Sequence, residues 1–138
     1  MKVEECFKEG LLRKVEPSAD KVKRSLGASK GYIENAKDNL KMKNYGLVIF
    51  CAYTSMFHSA RAILFRDGVK ERSHICIVSY LQEKYPEIKN LANMLDSYRK
   101  SRHTSLYSLD YLIDEKDAKE AIKDAEIFMK NIREIVER

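Results

Sequence analysis

The sequence contains no glycine-rich phosphate loop, which argues against ATP hydrolysis of the P-loop kind. Its three cysteines, Cys6, Cys51 and Cys76, are odd in number and lack CxxC spacing, so they read as inert reduced thiols of a cytoplasmic protein. Glu-x-x-His occurs once, as Glu71-Arg72-Ser73-His74, where a di-iron bundle needs two such motifs and two further carboxylates on facing helices. Neither a metal nor a cofactor is therefore expected. There is no strand with convincing alternation, no low-complexity tract and no internal repeat. No stretch of about 18 uncharged apolar residues exists, so a membrane span is not expected. Glu4, Glu5 and Glu9 near the N-terminus are unlike a signal peptide.

What the sequence does have is one long apolar run, YGLVIFCAYTSMFHSARAILF at residues 45–65, in which only His58 and Arg61 can carry charge. Plotted at about 100° per residue, Tyr45, Ile49, Ala52, Met56, Ala60 and Ile63 share one side. Leu47, Phe50, Phe57 and Phe65 fall on other sides. A helix apolar almost all round must be buried almost all round, by neighbouring helices on both sides or by a second subunit. A homodimer is expected on that ground.

The 138 residues suit one domain, and 44% hydrophobic with 34% charged residues indicates a globular rather than a disordered chain. The net charge of +5 is uneven. Residues 1–103 hold 20 Lys/Arg against 12 Asp/Glu, and residues 104–138 hold 6 against 9. A basic body with an acidic last helix suits a polyanionic partner such as RNA, or is the ordinary charge of solvated helix faces.

Helix signals organise the rest. A short helix is expected over 4–12. Pro17 and Ser18 open a longer one, running to about Met42, with Val22, Leu26, Ser29, Ile33, Ala36 and Leu40 as its stripe. Asn44 is a cap for the central helix, and Asp67-Gly68 is a turn signal after it. Ser73 caps a short helix carrying Ile77, Val78 and Leu81. Pro86 opens a segment with Ile88, Leu91, Leu95 and Tyr98 on one face, followed by a polar loop around Ser105–Asp110. Asp114 caps the last helix, whose stripe is Ala118, Ile122, Ala125, Met129, Ile132 and Val136. Short connections between amphipathic helices predict an all-α domain, an up-and-down antiparallel bundle of four to five helices over 18–137.

The candidate chemistry concentrates in Arg99-Lys100-Ser101-Arg102-His103. Arg102 continues the apolar stripe of Leu91, Leu95 and Tyr98. It is either an arginine that snorkels off the helix end or pairs with a carboxylate, or a fixed phosphate-binding fork facing a cleft. Cations at a helix C-terminus also stabilise the helix itself, so part of the cluster has a structural reading. His103 is a candidate general acid or base, or a surface histidine. His58 and Cys51 lie two turns apart, roughly 10 Å along the axis, too far for a Cys–His nucleophile pair. Packing is the better reading of His58.

Several segments together resemble the HEPN family. They are Lys43-Asn44-Tyr45, then Ala52-Tyr53-Thr54-Ser55-Met56-Phe57-His58-Ser59-Ala60-Arg61-Ala62-Ile63-Leu64, then Ser73-His74, then Arg102-His103 followed by Tyr107. The likeness extends from about Ser18 to Val136, and FKEGLLRKV from Phe7 to Val15 is similar to an uncharacterised HEPN-only subgroup of archaea and bacteria. The resemblance implies a helical bundle that dimerises, with association with minimal nucleotidyltransferases, often as a toxin–antitoxin pair. It also implies metal-independent RNase chemistry, with an Arg and a His separated by four to six intervening residues at a cleft between two subunits.

This sequence departs from that motif. Tyr107 stands where the nuclease pattern places His, and His103 directly follows Arg102. The resemblance therefore implies Arg102, His103 and Tyr107 as catalytic candidates, with Arg99, Lys100 and Arg102 as nucleotide or RNA contacts. The competing functions are three: an RNA- or nucleotide-binding protein, with a weak or specialised ribonuclease as its catalytic form; a non-catalytic module that docks a nucleotidyltransferase; and a purely structural homodimer whose basic cluster stabilises the bundle. A tyrosine, with an ordinary pKa near 10, is a poor general base at neutral pH.

Overall fold

The computed structural model describes the backbone of residues 1–107 and 112–138, and the side chains of residues 1–101 and 112–138. It is a helical bundle with one short two-stranded ribbon. In chain order the elements are α1 (Val3–Lys8), β1 (Leu12–Lys14), α2 (Ala19–Lys41), α3 (Tyr45–Asp67), β2 (Val69–Glu71), α4 (His74–Lys84), a 3-10 turn (Pro86–Ile88), α5 (Lys89–Tyr107) and α6 (Glu115–Val136).

The caps act as their chemistry requires. Ser18 accepts from the backbone of Lys21, and Ser73 from that of Cys76. Asp114 and Asp117 form a reciprocal capping box at the start of α6. Asn44 stands at the N-cap of α3 without a side-chain cap bond. Gly68 ends α3 in the left-handed region, φ 76°, and a Cβ there would lie 2.7 Å from the carbonyl oxygen of Val15. Only glycine fits that turn without strain.

Four long helices set the frame. Ser18 of the α2 start bonds the backbone of Phe65 near the α3 end, so α2 runs antiparallel to α3. Arg66 donates from Nη2 to the Tyr85 hydroxyl at 3.1 Å, so α5 starts at the C-terminal end of α3 and runs back along it. Arg66 Nη1 also donates to the backbone carbonyl of Ile135, which places the end of α6 there as well. α2, α3, α5 and α6 thus alternate down, up, down, up, as the apolar periodicity predicts, with α4 added beside them.

α3 is the core helix. Ala52, Met56 and Ala60 are each 0% exposed. By length and composition α3 is able to cross a membrane, yet 67% of its most apolar window is buried inside the bundle. Its enclosure is incomplete at the N-terminal end, where Leu47 is exposed and Phe50 half-buried. Where α2 crosses α3, a buried serine layer replaces bulk. Ser29 Oγ lies 2.9 Å from Ser55 Oγ and 2.6 Å from Ser59 Oγ, so the hydroxyls satisfy one another.

Four local expectations are corrected. The N-terminal helix stops at Lys8, because Gly10 adopts a positive φ of 72° and Leu12 enters β1. β1 pairs antiparallel with β2, Leu12 against Glu71 and Lys14 against Val69. Three-residue strands are too short to show alternation. The expected loop at Ser105 begins later, since α5 continues through Tyr107; residues 108–111 lie outside the described ones. Finally, Cys6 and Cys76 form a disulfide rather than two free thiols, leaving Cys51 reduced and buried. They lie 70 residues apart in sequence, and only the docking of α1 on α4 brings them together.

Candidate functional site

The last part of α5 carries the basic segment. Asp96 gathers two of its cations: Arg99 Nε donates to Oδ1 at 2.9 Å, and Lys100 Nζ lies 3.2 Å from Oδ2. Partial burial raises the Asp96 carboxyl pKa, but the hydrogen bonds and charges of Arg99 and Lys100 together outweigh it and hold the group below the usual carboxylate range. Lys100 is well exposed, and the Arg99 side chain a quarter exposed. Immediately before Arg99, Tyr98 donates to Asp124 at 2.6 Å and ties α5 to α6. Burial, then the bond and charge of Asp124, push the Tyr98 phenol far above its ordinary pKa. Tyr98 is a neutral structural strut. The side chains of Arg102, His103 and Tyr107 lie outside the described residues; their backbone continues α5.

A second group of functional side chains surrounds the junction of α3, β2 and α4. Tyr53, 1% exposed, hydrogen-bonds His74 Nδ1 through its hydroxyl. His74 stacks on Phe57 with ring centres 4.1 Å apart. Arg61 crosses the face of Phe57 at 5.8 Å and pairs with Glu71, Nε to Oε1, at 3.1 Å. That contact lacks hydrogen-bond alignment: Arg61 Nε and Glu71 Oε2 are both buried without a hydrogen-bond partner. Glu71 and His74, the halves of the Glu-x-x-His motif, thus face different partners. No group of three or more metal-ligating side chains occurs among the described residues.

The central segment on α3 and Ser73-His74 at the start of α4 therefore meet around Tyr53, Phe57 and His74. The model of the HEPN domain matches residues 22–135. The chain belongs to the HEPN family. That membership supports a nucleotide- or RNA-related role in general terms. No curated protein matches this chain.

Within this HEPN domain Arg99 and Lys100 stand just past the midpoint of α5, beside the Tyr98–Asp124 contact with the middle of α6. The His58 ring stacks on Tyr32 at 5.5 Å and lines a cleft between α2 and α3. Burial, then the nearby charge of Arg61, lowers its pKa below the ordinary histidine value. Lys21, Arg24 and Lys70 line the same cleft, and none of them stands out in the sequence. The spacing His58–Arg61 and Lys21–Arg24, three residues in each case, was the available signal. It becomes a site only when two antiparallel helices align it.

Proposed function

We propose that this HEPN protein binds RNA or a nucleotide through the basic segment of α5, acting as a homodimer. The observation that carries the reading is the clustering of Arg99 and Lys100 on the helix that continues into Arg102, His103 and Tyr107. Exposed apolar side chains stand at the end of the bundle towards which α5 runs. Met42 ends α2, Leu47 begins α3 and Leu112 precedes α6, with exposures of 70%, 44% and 90%. Apolar side chains grouped at one end favour a second copy there. A two-fold contact would set two copies of the basic segment beside one cleft.

In this reading Arg102 neutralises phosphate charge, and His103 or Tyr107 contributes a proton-bearing group. The activity is metal-independent RNA cleavage, with the protein as one half of a toxin–antitoxin pair. The second reading is a non-catalytic module that docks a minimal nucleotidyltransferase. Tyr107, standing where the nuclease pattern has His, favours it.

Incubation with defined RNAs, with and without EDTA, separates the two. Cleavage that survives EDTA and disappears in Arg102→Ala supports the first reading. Stable RNA together with capture of a nucleotidyltransferase in a defined pair supports the second. Sedimentation that shows only monomer at micromolar concentration would defeat the dimer.

A further inference from the structure

A cleft of about 410 Å³ opens where the start of α2 passes the C-terminal half of α3 and the β2 strand. Lys21, Arg24, His58, Arg61 and Lys70 converge on it from three elements, around the ring of Phe65. Two of the four permanent cations are answered by carboxylates. Arg24 meets Asp20 at 3.4 Å in a solvent-exposed pair, and Arg61 meets Glu71 at 3.1 Å. Among the described residues, no carboxylate pairs with Lys21 or Lys70.

The cations are also positioned. Arg61 Cζ lies 5.2 Å and Lys21 Nζ 5.6 Å from the centre of the Phe65 ring, so one aromatic ring holds two positive charges. Phe57 and Glu71 further restrain Arg61. Like charges brought together repel one another, and the packing of α2 on α3 through the Ser29–Ser59 layer does not require them. An anion in the cleft turns that repulsion into attraction.

We propose that this cleft is a binding site for a compact, multiply charged phosphate anion, such as a polyphosphate or the di- or triphosphate group of a small molecule. It is separate from the basic segment of α5. The cleft lies at the end of the bundle where α5 begins, since both the α2 start and Tyr85 meet the last turns of α3.

The shape selects the ligand. A volume near 410 Å³ falls within the range of small-molecule sites. Single-stranded RNA is held along an open groove with aromatic faces free for base stacking. Here Tyr32 covers the His58 ring, and Phe65 is 6% exposed beneath its two cations. The cleft offers charge but no stacking platform, so it suits phosphates rather than bases. Guanidinium forks and lysine point charges together match the several oxygens of a polyphosphate.

Calorimetric titration of the full chain with inorganic tripolyphosphate at physiological salt tests the site. Saturable binding of one ion per chain is expected. Lys21→Ala/Lys70→Ala should weaken it by about 10-fold or more, because each lysine contributes a charge-assisted contact. Lys119→Ala/Lys123→Ala on α6 removes the same charge elsewhere and should leave the affinity within about 2-fold. Circular dichroism establishes that both variants are folded. Non-saturable binding, or equal loss in both double variants, would overturn the proposal. So would citrate binding as tightly as tripolyphosphate, or a single-stranded RNA that needs Lys21 and Lys70 while tripolyphosphate does not bind. The Lys21- and Lys70-dependent binding is read with tripolyphosphate and the α5 reading with RNA cleavage, so failure of the α5 reading and failure of this one are distinguishable.

Discussion

Arg61 and Glu71 meet at 3.1 Å where α3 passes β2, and the pair fastens the ribbon to the core helix. The Glu71 side chain is only 9% exposed, whereas that of Arg61 is 25% exposed and still reaches water. Removing the carboxylate charge leaves a cation facing Phe57 and Phe65 with no counter-charge. Glu71→Gln is expected to cost about 1–3 kcal/mol, below the cost of breaking a fully buried pair because Arg61 is partly solvated. For a domain of this size that is a fall in Tm of roughly 2–10 °C. Thermal unfolding followed by circular dichroism measures it. An unchanged Tm would mean that solvent already screens the pair.

The Cys6–Cys76 bond closes a loop spanning 70 residues and ties α1 to α4. Loop-closure entropy alone gives about 4 kcal/mol for a loop of that length. Reduction, or Cys6→Ser/Cys76→Ser, should therefore lower the urea midpoint while leaving helix content intact. Peptide mapping without reductant should recover Cys6 and Cys76 on linked peptides. Cys51 should alkylate only after unfolding, since burial both shields its thiol and raises its pKa.

His58 makes stability depend on pH in a defined direction. Its folded pKa lies below the ordinary value of about 6.5, by burial first and Arg61 second. The unfolded chain then binds a proton more readily than the folded one. The His58 contribution is fully present above pH of about 6.5 and is lost as pH falls through the lower folded value. Lys21, Arg24 and Lys70 from the facing elements share the cleft. His58→Gln should flatten the fall in Tm between pH 7.5 and 5.5 relative to the wild type. Identical slopes would remove His58 from the account.

The bundle was legible because its signals are local. Ser18, Ser73 and Asp114 cap helices within three residues of themselves, and the apolar circumference of α3 announces enclosure wherever its neighbours come from. The ribbon and the disulfide were not legible, because each joins the first 14 residues to a segment near residue 70. No periodicity encodes such a pairing. The basic segment of α5 was visible as a run of charge, but the way Asp96 gathers Arg99 and Lys100 depends on side-chain geometry. The cleft at Lys21 and Lys70 was invisible for a third reason. Its cations come from three elements, and two of its residues look like ordinary surface lysines until α2 is laid against α3.

The remaining prediction concerns RNA, and it turns on Arg102. RNA binding through Arg99, Lys100 and Arg102 should weaken linearly in log–log terms with added salt, because phosphate contacts release counterions. Arg102→Ala should reduce that slope by about one unit and weaken all sequences alike. Cleavage behaves differently. A fixed guanidinium stabilises charge that develops only in the transition state, so its loss should cost about 10²–10³-fold in rate, well beyond its effect on binding. His103→Ala should cost roughly 10²–10⁴-fold if that imidazole transfers the proton, and almost nothing if Tyr107 occupies the position instead. The products should carry a 2′,3′-cyclic phosphate, formed with EDTA present. Equal residual cleavage by wild type and Arg102→Ala would mark the activity as contamination, and the docking-module reading would then replace the nuclease.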